Sequence, residues 1–243
     1  QWSRRFFPGQ ISRSLDQKMF VYTDVMYHIK PYRELLLDPR DSIGYDTERD
    51  RELAARAGEI GSDGKLLTLA DGATVRANLL EKLLVTALCK LGNFVPGGGI
   101  WMNTQRPEWN DANNALAGYG LSMVTVAYLR RFLAFLAELV SEADESSWEV
   151  AKEVAVYLLG VSRVLAETRP EADTPVSPQD RKAFMDRVGQ LGSDYRERVY
   201  RRPSGRQQVL SAQQVLELVE SALDCCGNEA VQLASARRML EKK

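Results

Sequence analysis

Leu79, Leu80, Leu83, Leu84, Ala87, Leu88 and Leu91 recur at the helical period, and Gly92 stands where such a helix would end. This stripe restricts the fold more than any other feature, because an apolar face of that length must be buried against a second element. A second run, residues 112–140, is apolar on nearly every side. It predicts a buried helix at the centre of the fold, bent near Gly118 and Gly120. Ser146 with Glu149 reads as a capping box that opens a helix carrying Val150, Val154, Tyr157, Leu158, Val161 and Leu165 and stopping before Pro170. Ser177-Pro178 supplies an N-cap followed by proline at the first helical position. Ser211 with Gln214 caps a further helix that ends near Gly227, and Asn228 starts the last one.

The earlier part of the chain is mixed. Ser14 with Gln17 predicts a short helix reaching His28, and the Pro- and Asp-rich residues 31–50 read as loop. A helical stretch at 52–56 is followed by two Asp-Gly pairs around a short apolar run, which predict a small β-hairpin within 60–75. The expected organisation is an N-terminal mixed segment, 1–75, and a helical region, 76–243, within one structural domain. The fold class is mainly α, built of antiparallel α/α hairpins with a small β-hairpin insertion. Bundles, solenoids and α/α toroids all satisfy that pattern.

Composition removes several function classes. The 243 residues carry 32 Lys and Arg against 33 Asp and Glu, so no whole-chain field calls for nucleic acid or an anionic membrane. The longest uncharged run, 112–129, contains Asn113, Asn114, Gly118, Gly120, Ser122 and Thr125 and is too polar to span a membrane. Cys89, Cys225 and Cys226 make no disulfide framework, which points to a reducing cytoplasm. His28 is the one histidine, and these four scattered residues lack the spacing of a zinc site. No metal or other cofactor is expected. A chain starting at Gln1 without a signal peptide reads as a processed or excised piece of a larger polypeptide.

One stretch departs from scaffold chemistry. Residues 94–114 gather Gly97, Gly98, Gly99, Trp101, Asn103, Arg106, Glu108, Trp109, Asn110, Asp111 and Asn113 between two apolar helices. Trp101 and Trp109 offer flat faces on which a sugar ring can stack. Asn103, Arg106, Asn110 and Asn113 supply donors and acceptors for hydroxyls, and Asp111 or Glu108 can protonate a glycosidic oxygen. Asp111 also suits a helix N-cap, and Glu108 a first helical turn. Asp24, Asp41 and Asp46 are the early carboxylates that could serve as a partner. The glycines lack the Lys-Ser/Thr of a phosphate-binding P-loop and read as a turn.

The segment Pro107-Glu108-Trp109-Asn110-Asp111-Ala112-Asn113 resembles the Asp-Trp-Asn-Asp-Gly-Met/Leu-Asn segment of the cellobiose and chitobiose phosphorylases, within the six-hairpin (α/α toroid) glycosidase clan. The resemblance implies a partial α/α toroid, with Asp111 as general acid and Trp109 lining the sugar subsite. Glu108 stands where that family has Asp, and Ala112 where it has Gly. Those phosphorylases bind phosphate with a downstream histidine, and no histidine follows Asn114 here, so the resemblance implies hydrolysis more than phosphorolysis. The longer run 97–129 is also similar to a segment of large uncharacterised bacterial proteins with glycosidase-like regions.

The expectation is thus a carbohydrate-active, glycoside hydrolase-like region whose ligand is an oligosaccharide, incomplete as an isolated chain. Two rivals stand beside it. One is a non-catalytic sugar-binding or structural helical module. The other is an interaction module using Arg196, Arg198, Arg201, Arg202 and Arg206, interleaved with Tyr195 and Tyr200 on an expected connector between helices.

Overall fold

A computed structural model describes residues 8–103, 118–168 and 176–240, with side chains described at 9–103, 118–168 and 176–227. The described chain is mainly helical. Its eight α-helices are α1 (Pro8–Asp16), α2 (Tyr32–Leu37), α3 (Thr47–Ile60), α4 (Leu79–Leu91), α5 (Met123–Ser141), α6 (Lys152–Glu167), α7 (Pro178–Arg201) and α8 (Ala212–Leu240). Nine short strands form small sheets around them: β1 (Phe20–Val21), β2 (Tyr27–Ile29), β3 (Ile43–Tyr45), β4 (Arg76–Ala77), β5 (Phe94–Val95), β6 (Gly99–Trp101), β7 (Leu121–Ser122), β8 (Ser147–Ala151) and β9 (Gln207–Ser211).

Helix α4 forms where the leucine stripe places it. Asn78 Oδ1 accepts from Glu81 N at 2.9 Å as the N-cap, and Gly92 closes the end. Ser177 accepts from Asp180 N at the start of α7, with proline in the first turn. Ser211 and Gln214 cap α8 reciprocally: Ser211 Oγ accepts Gln214 N at 3.2 Å, and Gln214 Oε1 accepts Ser211 N at 2.9 Å.

Several sequence expectations are corrected. Ser14 lies inside α1, its hydroxyl donating to Gln10 O, and the residues that follow form β1 and β2. Val21, Tyr22, Thr23, Val25, Tyr27 and Ile29 suit extended backbone better than helix. Residues 31–50 hold α2, β3 and the start of α3. Only the second Asp-Gly pair makes a hairpin turn, with Leu69 N donating to Ala73 O at 2.9 Å, while Gly61–Lys65 is a 3-10 turn. Ser147 to Ala151 is a strand, not a capped helix start: Trp148 and Val150 are buried while Ser147 and Glu149 are exposed, which is a period of two. Helix α8 runs unbroken through Gly227, a cost of about 1 kcal/mol that a long helix tolerates.

The central helix is also not the one expected. Helix α5 packs on α8 and α4 through Val126, Leu129, Leu133, Leu136 and Val140, but its opposite side is in water, with Val124 67% and Tyr128 65% exposed. Apolar residues are common on protein surfaces, so apolar content alone overstated its burial. Helix α6 takes the central place. It contacts α4, α7 and α8, and buries Val154, Ala155, Tyr157, Leu158, Val161, Val164 and Leu165. Strands β8 and β9 pair antiparallel over five positions, Ser147 opposite Ser211 through Ala151 opposite Gln207, and each runs directly into a helix of the core.

Candidate functional site

The glycine-rich approach is a tight hairpin turn. Val95 O accepts Gly98 N at 2.9 Å, and Gly97 and Gly99 take φ of 74° and 125°, a region that favours glycine. Strand β6 then pairs with β7, and the ladder continues past Trp101, with Gly118 N donating to Met102 O at 2.7 Å and Met102 N to Gly120 O at 3.0 Å. Trp101 Nε1 donates to Gly118 O at 2.9 Å, and the ring meets Tyr32 edge to face at 6.3 Å. Asn103 is buried, its Nδ2 donating to Asn93 Oδ1 at 2.9 Å. Trp101 and Asn103 therefore sit at the base of the segment that carries the resemblance. Arg106, Glu108, Trp109, Asn110, Asp111 and Asn113 lie outside the described residues.

Two clefts open where the N-terminal strands meet the end of α7. His28 and Tyr200 stack at 4.4 Å with their rings 28° from parallel, and both line both clefts, as does Arg201. Tyr200 Oη accepts Ile29 N at 3.1 Å, and burial pushes its hydroxyl pKa up. His28 lies on β2 opposite Gly44 and stacks on α7.

The first cleft, of about 230 Å³, brings together Asp24, Asp46, Glu48 and Glu52 with Arg49, Arg201 and Arg202. Asp24 is bound by the guanidinium of Arg49, and Arg49 Nη1 also donates to Glu52 at 2.8 Å. Asp46 Oδ1 accepts Arg49 N at 2.9 Å and so caps α3. Two of the three early aspartates thus share one cleft, while Asp41 pairs with Lys30 at the surface. Arg202 has φ of 145°, the one positive value at a non-glycine residue among those described, and it lines this cleft. Such backbone strain costs of order 1–3 kcal/mol and gathers at functional surfaces.

The second cleft, of about 340 Å³, is lined by Lys30, Ser193, Arg196, Glu197 and Arg201 beside the His28–Tyr200 pair. The arginines expected on a connector are largely helical: Arg196, Arg198 and Arg201 belong to α7. Tyr195 stacks on Tyr157 at 5.1 Å inside the fold. The signal missed in the sequence is their spacing, since 193, 196 and 200 fall on one helical face.

A further carboxyl is buried away from both clefts. Glu81 accepts Tyr22 Oη at 2.9 Å and Ala151 N at 2.8 Å, and burial pushes its pKa up against those bonds. It ties β8 to α4. Among the described residues no group of three His, Cys, Asp or Glu side chains is placed to hold a metal ion, and no helix is long and apolar enough to cross a membrane. No protein-family model matches the chain, and no curated protein sequence matches it either.

Proposed function

We propose that this chain is a carbohydrate-binding region of glycoside hydrolase type, with Trp109 stacking on a sugar ring and Asp111 directed to a glycosidic oxygen. The observation that carries the reading is the closure beneath the segment 104–117. Trp101 Nε1 on Gly118 O and Asn103 on Asn93 fasten both ends of that segment to the β5–β6–β7 sheet. A segment whose two flanks are fastened to a packed scaffold can present aromatic and amide groups to a ligand. The resemblance also carries the finer architectural proposal, a partial α/α toroid, supported by the packing of consecutive helices α6 and α7 on each other.

The proposed acid lacks a well-spaced partner. Glu108 and Asp111 are three residues apart, which on a helical turn places their Cβ atoms about 5–6 Å apart. Inverting hydrolysis needs carboxyls roughly 6.5–9.5 Å apart to admit a water. Asp24 and Asp46, the early carboxylates of the first cleft, are occupied with Arg49 and a helix cap. On this reading the isolated chain binds sugars weakly and turns over no simple disaccharide.

The test is a tryptophan-fluorescence titration with β- and α-linked oligosaccharides, for the chain and for Trp109→Phe, beside incubation with disaccharides with and without phosphate. Saturable quenching that disappears in Trp109→Phe is expected, without product release. Absence of any sugar-dependent change overturns the reading. Release of monosaccharide or sugar phosphate that is lost in Asp111→Asn shows a complete catalytic site and overturns the assignment as a binder.

A further inference from the structure

The geometry points to an oxyanion site in the cleft beside the His28–Tyr200 stack, where Ser193, Arg196 and Tyr200 receive a carboxylate or phosphate group. These three residues stand at i, i+3 and i+7 on α7 and all line the cleft. The inference is independent of the carbohydrate reading, since it uses no residue of the segment 94–114.

Charge is the first argument. Three cations line the cleft, and two are already neutralised: Lys30 by Asp41 and Arg201 by Glu197. Arg196 is not. Among the described residues no carboxylate pairs with it. Among those residues its one side-chain hydrogen bond runs from Nη2 to Ser193 Oγ at 3.2 Å, and its buried Nε finds no partner. A guanidinium carries five N–H donors in a planar fork suited to a carboxylate or phosphate, and a half-buried charge without a counter-ion is costly.

Unspent hydroxyl donors are the second argument. Ser193 Oγ accepts two bonds, from Tyr32 N at 2.8 Å and from Arg196, so its own hydrogen remains to be donated. Tyr200 Oη accepts Ile29 N, which leaves its O–H to donate as well. A cation and two hydroxyls with free hydrogens along one helical face make a donor set for an anion's oxygens and offer nothing comparable to a cation. The volume of about 340 Å³ admits a small molecule carrying such a group.

Thermal unfolding in inorganic phosphate and in malonate, each matched in ionic strength by sodium chloride, tests the site. The unfolding midpoint is expected to rise with at least one of the two anions above the chloride control. A rise with phosphate alone marks phosphate esters as the ligand class, a rise with malonate alone marks carboxylates, and a rise with both marks the shared oxyanion chemistry. Arg196→Gln should lose the shift, and Arg206→Gln, outside the cleft, should keep it. Should Arg196→Gln fail to fold, the Nε–Hε resonance of Arg196 in the unaltered protein must move on phosphate or malonate addition. No midpoint shift with either anion, a shift that survives Arg196→Gln, or an unmoved Arg196 resonance overturns the proposal.

Discussion

Arg49 grips Asp24 across the cleft, and the pair is nearly closed to water, with side-chain exposures of 15% and 8%. Asp24→Asn removes the buried partner of a guanidinium that Glu52 still pairs from the other side, and a loss of about 1.5–3 kcal/mol is expected. Arg187 and Glu167 form an ion pair with 43% and 50% exposure, and Glu167→Gln should cost about 0–1 kcal/mol. Urea unfolding of the two variants checks the contrast. Equal losses would mean that burial does not set the strength of the Asp24–Arg49 pair.

Gly118 has φ of 85°, and a Cβ there would meet Pro39 O at 2.5 Å. Gly118→Ala is expected to lose about 1–3 kcal/mol, because neither the backbone conformation nor the neighbouring carbonyl accommodates a methyl group. Trp101→Phe removes the bond to Gly118 O together with part of the indole's packing area, and should cost at least about 0.5–1.5 kcal/mol. If Gly118→Ala proves neutral by the same unfolding measurement, the closure beneath the 104–117 segment is looser than described.

Ser146 and Ser211 carry the same four-residue signature and have opposite fates. Ser211→Ala removes a reciprocal cap and should lose about 0.5–2 kcal/mol. Ser146 is exposed, outside any helix, and contributes its backbone carbonyl to Ala212 N, so Ser146→Ala should stay within about 0.5 kcal/mol of the unaltered chain. Chemical denaturation of both decides the matter. A loss at Ser146 as large as at Ser211 would contradict the β8 assignment.

Glu81 gives stability a pH dependence of its own. Burial raises its pKa in the folded state above the ordinary 4.5. A raised carboxyl favours the folded state when protonated, so this contribution is fully present below pH 4.5 and is lost as pH rises through the folded value. Glu81→Gln should remove that slope. Unfolding midpoints measured from pH 4.5 toward neutrality are expected to fall more steeply for the unaltered chain than for the variant. Parallel curves would show that Glu81 titrates as it does in the unfolded chain.

What the sequence made legible was what local chemistry decides alone. The Ser177 cap, the Ser211–Gln214 box and the leucine stripe of α4 each lie within one segment, and all formed where expected. The short strands were hidden because their partners are distant: Phe20 pairs with Ala77, and Trp148 with Leu210. A Ser-x-x-Glu pattern is the same whether the next five residues coil or pair, and only a partner strand sixty residues away settled the case of Ser146. The clefts were hidden for the same reason. Asp24 and Asp46 could be suspected singly, yet their gathering with Arg49 and Tyr200 depends on β2 lying against the end of α7. Tyr195 and Tyr200 were visible as interleaved aromatics, but a stacking partner on another element is not written beside either one.

The β8–β9 ladder fixes how the molecule would answer a mechanical pull. Because the strands are antiparallel and each continues into a helix, α6 and α8 leave from opposite ends of the ladder. Tension applied through those two helices slides the strands past one another, so the backbone hydrogen bonds share the force and yield together. Tension applied between the chain entering β8 and helix α8 acts at a single end, where Ser147 faces Ser211, and opens the bonds one after another. The same five residue pairs are strong along one axis and weak along the other, and the direction of pull decides which is felt.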